Sequence, residues 1–180
     1  NSLSWSDATG SVVVDMSGIS GNGSVGTGTA QDGLGGVDTF ANFQFFTLSP
    51  QADTYQGSSA LQFEQVEGGA GNDTLDGGAF IDTLLQRDGN RLIYFGVTVG
   101  GVVVDLAAGT ATGAGNDSFT NFNQVRGSNQ PDTLSGSDRT DYTETFEGRG
   151  GGDLIDGKGG TDFVRYDAAT EGVTVDLVTG

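Results

Sequence analysis

The chain has 180 residues, with 24 acidic side chains against 7 basic ones, and it contains neither histidine nor cysteine. Its net charge of −17 argues against nucleic acid and anionic membrane surfaces as partners, because both are bound by patches of lysine and arginine. The missing cysteine and histidine remove disulfides, thiolate metal sites and the commonest transition-metal ligand. Carboxylates and backbone carbonyls remain, and these oxygen ligands suit hard divalent cations.

The apolar content is low for a chain of this length. Leu, Ile, Val and Phe make up about a quarter of the residues, close to the level at which strongly charged chains fail to form a core. No apolar run is long enough to span a membrane. We therefore expect bound cations to assist folding by neutralising part of the charge. Since the chain begins at Asn1, we also expect it to be a piece of a longer protein.

The sequence repeats itself at intervals of roughly 80 to 90 residues, the signature of a repeat architecture. Copy one covers about residues 10–90 and opens with VVVDM at 12–16. Copy two covers about 100–165 and opens with VVVDL at 102–106, and a third copy begins over 166–180. Residues 37–59 align without a gap on 116–138, with ten of 23 positions identical. These repeats predict one module over residues 1–180.

Within each copy, short strand-forming stretches alternate with turns of Gly, Asp, Asn and Ser. No window of 11 or more residues has an apolar stripe with a 3.6-residue period, so helices should be scarce. The pattern is typical of stacked short parallel strands with a turn every nine residues or so. The predicted fold class is all-β.

Gly-rich nonapeptides of the form G-G-x-G-x-D-x-U-x, in which U is apolar, carry the chemistry. Glycine permits positive φ in the turn, whose carbonyls and Asp carboxylate can face a cation. Residues 68–76 (GGAGNDTLD) match every position, whereas 77–85 (GGAFIDTLL) have Phe80 in place of the third glycine. Residues 148–156 and 157–165 keep the Asp and most glycines. Looser versions occur at 33–41, 112–120, 127–135 and 136–144.

Through these nonapeptides the sequence resembles the RTX, or repeats-in-toxin, family of haemolysin-type calcium-binding proteins. The match is strict over residues 68–85 and 148–165. The resemblance implies a right-handed parallel β-roll or β-helix solenoid with calcium in the Gly/Asp turns. It also implies type I secretion from a Gram-negative bacterium, folding in outside calcium, and a place outside the cell or on its surface.

The same resemblance implies that successive nonapeptides turn on opposite sides of the roll, with Ca²⁺ between turns stacked on one side. In copy two, Asp132 is then expected beside Asp153. On the other side, Asp141 is expected beside Asp162. Each pair would hold one Ca²⁺ together with nearby glycine carbonyls.

Copy one is predicted to be less complete. Asp53 is expected beside Asp73, but Asp82 would face only the neutral Gln62, so its site should be weak or empty. For Asp38 and Asp117, a metal-free turn is at least as good an interpretation as a ligand. The predicted metal ligands are Asp53, Gly68, Gly69, Gly71, Asp73, Gly77, Gly78, Asp82, Asp132, Asp141, Gly148, Gly150, Asp153, Gly157, Gly159 and Asp162.

The favoured function is a non-catalytic calcium-binding module of a larger secreted protein. Without histidine or cysteine no Ser-His or Cys-His arrangement is available, and the cations are scattered along the sequence, so we expect no enzyme. One alternative is a surface adhesin or interaction module that binds sugar or protein through residues 17–30 and 86–101, which have no counterpart in the other copies. A part of a polysaccharide lyase or epimerase is a weaker alternative.

Overall fold

The computed structural model describes residues 1–20, 26–60, 62–79, 89–169 and 172–174. Over these ranges the chain forms short β-strands and no helix, hence none able to cross a membrane. The strands are β1 Ser2–Ser4, β2 Val13–Asp15, β3 Gly28–Gln31, β4 Asp38–Phe40, β5 Phe45–Thr47, β6 Thr54–Gln56, β7 Glu64–Glu67, β8 Thr74–Asp76, β9 Asn90–Ile93, β10 Val103–Asp105, β11 Thr110–Thr112, β12 Asn116–Thr120, β13 Gln124–Arg126, β14 Thr133–Ser135, β15 Glu144–Glu147, β16 Leu154–Asp156 and β17 Asp162–Val164.

The strands form two sheets, and the chain passes back and forth between them. Sheet 1 has the order β1-β5-β7-β9-β13-β15-β17, and all of its neighbouring strands are parallel. Sheet 2 has the order β4-β3-β2-β6-β8-β12-β11-β10-β14-β16. Parallel neighbours require a crossover connection, and here the strands of the other sheet supply it.

One inward-facing side chain per strand builds the core between the sheets. Side chains alternate along a strand, so a three-residue strand directs its middle residue to one face and its outer residues to the other. In sheet 1 these middle residues are in register and buried, and in sheet 2 the same holds for most strands. They are Phe46, Val66, Leu92, Val125 and Phe146 in sheet 1, and Val14, Tyr55, Leu75, Phe119, Val104 and Leu134 in sheet 2.

Two three-stranded antiparallel groups widen sheet 2, namely β2-β3-β4 and β10-β11-β12. The first strand of each group also pairs in parallel with the next sheet 2 strand of the same copy that lies outside the group. These pairs are β2 with β6 and β10 with β14. The last strand of the second group, β12, pairs with β8 of copy one, with Ser118 opposite Thr74 and Phe119 opposite Leu75. This junction brings Asp117 alongside Asp73.

The prediction of an all-β fold in which helices are scarce is confirmed, since the described residues form no helix. Residues 17–30, expected to lack a counterpart, end in β3, which occupies the place that β11 has in the second antiparallel group. Within this stretch, residues 21–25 lie outside the described residues. The longer strand-forming stretches at 12–16 and 102–106 form β2 and β10.

The register can be tested by replacing leucine with alanine at two positions, one at a time. Leu134 is fully buried, whereas Leu154 is 65% exposed on the neighbouring strand. Leu134→Ala should lower the free energy of unfolding by about 2–5 kcal/mol, because it leaves a cavity in the core. Leu154→Ala should change it by no more than about 0.5 kcal/mol. Urea unfolding measures both, and equal losses would contradict the inward assignment of Leu134.

Candidate metal-binding turns

The predicted ligands lie in two series of turns. The first turn series leads from sheet 1 to sheet 2, and the second leads from sheet 2 back to sheet 1. The first contains Asp53, Gly68, Gly69, Gly71, Asp73, Asp132, Gly148, Gly150 and Asp153. The second contains Gly77, Gly78, Asp141, Gly157, Gly159 and Asp162. Asp82 lies outside the described residues.

Aspartates of the first turn series form a ladder in copy one. Each carboxylate accepts the backbone N–H of the residue that directly precedes the neighbouring strand of sheet 2. Asp53 Oδ1 accepts from Val12 at 2.6 Å, and Asp73 Oδ1 accepts from Asp53 at 2.9 Å. Asp117 Oδ1 then accepts from the N–H of Asp73 at 3.1 Å. The junction between the two copies therefore adds a third buried carboxylate to the expected pair.

Copy two contains the same ladder. Val102 N–H donates to Asp132 Oδ1 at 2.8 Å, and Asp132 N–H donates to Asp153 Oδ1 at 3.0 Å. The structure thus brings both expected pairs of this series together, Asp53 with Asp73 and Asp132 with Asp153. In each pair the backbone N–H of the first aspartate donates to the carboxylate of the second.

A serine four residues earlier closes the turns of Asp53 and Asp132. The Ser49 N–H donates to Asp53 Oδ2 at 2.7 Å, and its hydroxyl donates to Oδ1 at 2.7 Å. Ser128 does the same for Asp132, with distances of 2.7 and 2.8 Å. Every oxygen of these two buried carboxylates therefore has a protein donor.

Asp73 has no such serine, since Gly69 occupies the place of Ser49. The residue is 1% exposed, and Oδ1 accepts the Asp53 N–H while Oδ2 has no hydrogen-bond partner. Gly68 makes room for Oδ2, because a Cβ there would collide with that atom. Burial, followed by the nearby Asp117 and Asp53 carboxylates, raises the pKa of Asp73 to about 7. This site is the least satisfied carboxylate among the predicted ligands that the structure describes.

The glycines of the Asp73 turn are required by its backbone. Gly69 and Gly71 have φ of 91° and 115°, which side chains other than glycine rarely adopt. The turn also lies directly on the preceding one, and a Cβ on Gly71 would come within 2.9 Å of the Ala52 nitrogen. The two turns are therefore stacked backbone against backbone, without room for side chains at these positions.

The second turn series uses glutamates, which sequence reasoning did not identify. Ser137 donates its N–H and hydroxyl to Glu144 at 2.8 and 2.6 Å. Glu64 is likewise buried, and it accepts hydrogen bonds from Ser58 and from the Tyr55 hydroxyl. The available signal was a Gly-Ser pair preceding an acidic residue, which recurs at 57–58, 127–128 and 136–137.

Asp141 and Asp162 do not form the expected pair. Asp162 is in register with Glu144 and accepts its backbone N–H, and burial raises the pKa of Asp162. Asp141 is exposed, and its carboxylate forms an ion pair with Arg139 at 2.5 Å. The expected pair does not form because the turn before β15 is longer than a nine-residue repeat allows. The next strand therefore begins at Glu144, which takes the place predicted for Asp141.

Asp153 is the counterpart of Asp73 in copy two. Its Oδ2 lies against Gly148, where a Cβ would collide with it, and Arg149 stands in the place of Ser128. Burial is the main cause that raises its pKa, and the charge of Asp132 adds to it. The strict nonapeptides thus leave their carboxylates less well satisfied than the serine-closed turns do.

In the part of the chain that the structure describes, no three acidic side chains converge on one point as a ready-made metal site. The carboxylates of Asp53, Asp73 and Asp117 are arranged in a line instead. No protein-family model matches the sequence, and neither does any curated protein.

The raised pKa of Asp73 predicts how stability depends on pH without divalent cations. The folded pKa of about 7 exceeds the ordinary value of 3.8, so the folded state binds the proton more tightly than the unfolded state between those values. Stability in EDTA should therefore fall as pH rises from 4.5 to 7.5, by about 2–4 kcal/mol from this group. Urea unfolding at several pH values measures this, with Asp73→Asn as the control that should have a flatter profile. An identical profile in the variant would contradict the assignment.

Proposed function

We propose that the chain is a calcium-binding module of a secreted or cell-surface bacterial protein, and that it completes its folding on Ca²⁺ after export. The proposed architecture is a right-handed parallel β-roll solenoid built from the two copies and the beginning of a third. Alternation of short parallel strands between two sheets supports this architecture.

The proposal rests on the environment of the Asp73 carboxylate. Its Oδ2 is buried without a donor, and two further carboxylates, Asp53 and Asp117, adjoin it in the ladder. A buried charge without a partner is costly unless a counterion compensates it. No lysine or arginine supplies that charge, since no ion pair involves these three aspartates in the described chain. A hard cation would relieve both the missing partner and the mutual repulsion.

The donor set of this turn fits Ca²⁺. Calcium binds six to eight oxygens in flexible geometry, and carboxylates, backbone carbonyls and water all serve. The Asp73 carboxylate would be the principal ligand, with carbonyls of the stacked turns at 48–53 and 68–73 around it. Asp153 with Gly148 and Gly150, and Asp162 with Gly157 and Gly159, are the corresponding candidates in copy two. Asp53 and Asp132 are not calcium ligands in this proposal, because their oxygens already accept protein hydrogen bonds.

The energetics favour a role outside the cell. Extracellular calcium modules bind with Kd of about 10⁻⁴ to 10⁻³ M, which only external calcium approaches. At ten times Kd, each site adds roughly 1.4 kcal/mol to folding by mass action. Two or three sites would supply a large share of the stability of a small domain, about 5–15 kcal/mol. The serine-closed turns need no metal, so part of the fold should persist without it.

We propose a binding module rather than an enzyme. General acid–base or nucleophilic chemistry in such a chain would have to do without histidine and cysteine. The carboxylates in the turns accept backbone hydrogen bonds that hold neighbouring strands together, a structural task that already engages them.

Asp73→Asn tests the proposal directly. The variant keeps the Oδ1 acceptor for Asp53 N–H but removes the buried charge. It should be at least as stable as the parent in EDTA at pH 7.5, and it should lose the calcium increment of one site, roughly 1.4 kcal/mol at ten times Kd. Urea unfolding in EDTA and in millimolar Ca²⁺ measures both quantities.

Asp132→Asn is the matched control. It places an amide NH2 opposite the Ser128 N–H and should cost about 1–3 kcal/mol in both conditions. Its calcium increment should match that of the parent. The proposal fails if Asp73→Asn keeps the full calcium increment, or if Ca²⁺ does not stabilise the parent chain at all.

A further inference from the structure

The outer face of sheet 1 carries a row of side chains that the turns do not involve. The row runs across the strands, because each member from β5 to β15 directly precedes a buried core residue and points the opposite way, and Phe163 on β17 continues it in register. Its members are in register from β5 to β17, and we call them the outer row. They are Phe45, Gln65, Arg91, Gln124, Thr145 and Phe163.

Arg91 lies in the middle of this row and has an unusual environment for an acidic protein. Its Nε and Nη2 donate to Gln124 Oε1 at 3.2 and 2.7 Å, and Nη1 reaches Gln65 Oε1 at 3.5 Å. Its guanidinium stacks on Phe63, with 4.9 Å from Cζ to the ring centroid. Among the described residues no carboxylate lies within ion-pair distance of it, although the chain has 24 acidic side chains. Neutral amides therefore hold a partly buried cation.

Other cations gather on the same face. Although scattered in the sequence, Arg126 and Arg165 lie on β13 and directly after β17, and Arg149 stacks on Phe95 at 4.0 Å. Burial lowers the pKa of Arg91 to about 10, and the charges of Arg126 and Arg165 contribute to this shift. Three of the seven cationic side chains in the sequence thus share one face of a protein with net charge −17, and Arg149 contacts the ring of Phe95 that Arg126 also contacts.

A shallow groove of about 460 Å³ follows the outer row. Phe63 and Arg91 line one end, and Phe163 with Arg165 lines the other. Gln124 and Thr145 form the floor between them. Phe163 is 49% exposed, so a ring face is available to a ligand. The groove offers aromatic surface at both ends, neutral hydrogen-bonding groups in the middle, and a guanidinium that forms no ion pair with a carboxylate of the described chain.

We propose that this groove binds a short stretch of acidic polysaccharide, with Arg91 holding a sugar carboxylate. The planar guanidinium matches a carboxylate in bidentate geometry. The Phe63 and Phe163 rings supply apolar faces for sugar rings, and Gln124 and Thr145 supply partners for hydroxyls. Strands spaced by about 4.8 Å repeat these features across the sheet, which suits a polymer that lies across the strands.

The other charges on this face limit which kind of anionic partner the groove can bind. A nucleic-acid duplex carries one negative charge per about 1.7 Å of its axis, a much closer spacing than one charge per sugar ring. Two of the arginines on this face, Arg126 and Arg165, already pair with Glu147 and Asp167. The face therefore cannot neutralise a dense polyanion. A glycan with one carboxylate per sugar needs less positive charge, and screening over about 8 Å at physiological salt shields it from distant carboxylates. This groove is separate from the aspartate ladder. Glycan binding there would be a function additional to the proposed calcium binding.

Titration calorimetry with a short oligogalacturonate tests the inference in the full chain. The same oligosaccharide with its carboxylates methyl-esterified is the neutral probe. The acidic form should bind with Kd of about 1 mM or tighter, and the ester at least about tenfold more weakly. Arg91→Gln should weaken binding of the acidic form at least about tenfold, and exposed Phe163→Ser should weaken it about threefold or more. Circular dichroism confirms that each variant is folded.

Arg139→Gln is the matched control, because Arg139 pairs with Asp141 in a turn and does not line the groove. Its affinity should equal that of the parent. Titrations in EDTA and in Ca²⁺ separate this inference from the calcium proposal, since failure of calcium binding would leave the Arg91 effect in place. Equal affinity for the acid and the ester, full affinity in both Arg91→Gln and Phe163→Ser, or no binding would overturn the inference. Preferential binding of hexaglutamate would overturn it in favour of an acidic peptide.

Discussion

The structure depends on buried carboxylates that accept backbone N–H groups from a neighbouring strand. The Asp53, Asp73 and Asp117 ladder links β2, β6, β8 and β12 at the point where the chain enters sheet 2. A charged acceptor strengthens each of these hydrogen bonds, but it must itself be compensated after it leaves water. The apolar core is thin, because each short strand contributes about one inward apolar side chain. Its contribution to folding is too small to offset the free-energy cost of an uncompensated buried charge.

The buried carboxylates are compensated in two different ways. Around Asp53, Asp132 and Glu144 a nearby serine donates its N–H and hydroxyl, so the protein itself satisfies the carboxylate. At Asp73 glycine replaces that serine and one oxygen remains without a donor. We propose that Ca²⁺ completes this second kind of turn. Copy one then combines self-sufficient turns at Asp53 and Glu64 with a calcium-dependent turn at Asp73, which would let external calcium complete a fold that is partly formed without it.

Sequence patterns predicted the features that depend on local chemistry. Short strands, the absence of helices and the position of Asp73 follow from alternation and from a strict nonapeptide. Asp141 was placed beside Asp162 because nine-residue counting assumes equal turns, whereas the longer turn before β15 brings in Glu144. Serine closure was missed, because a serine beside glycine also looks like an ordinary turn residue. The environment of Arg91 could not be predicted, since register across several strands depends on the length of every intervening connection.

Calcium titration calorimetry in buffers of different ionisation enthalpy tests the central claim most directly, because it counts the protons released with each bound ion. With a pKa of about 7, the Asp73 carboxyl is mostly protonated at pH 6 and mostly charged at pH 8.5. A cation that binds there must displace the proton. The account predicts release of close to one proton for this site at pH 6 and almost none at pH 8.5. Calcium binding with no proton release at either pH, or an absence of calcium binding, would contradict it.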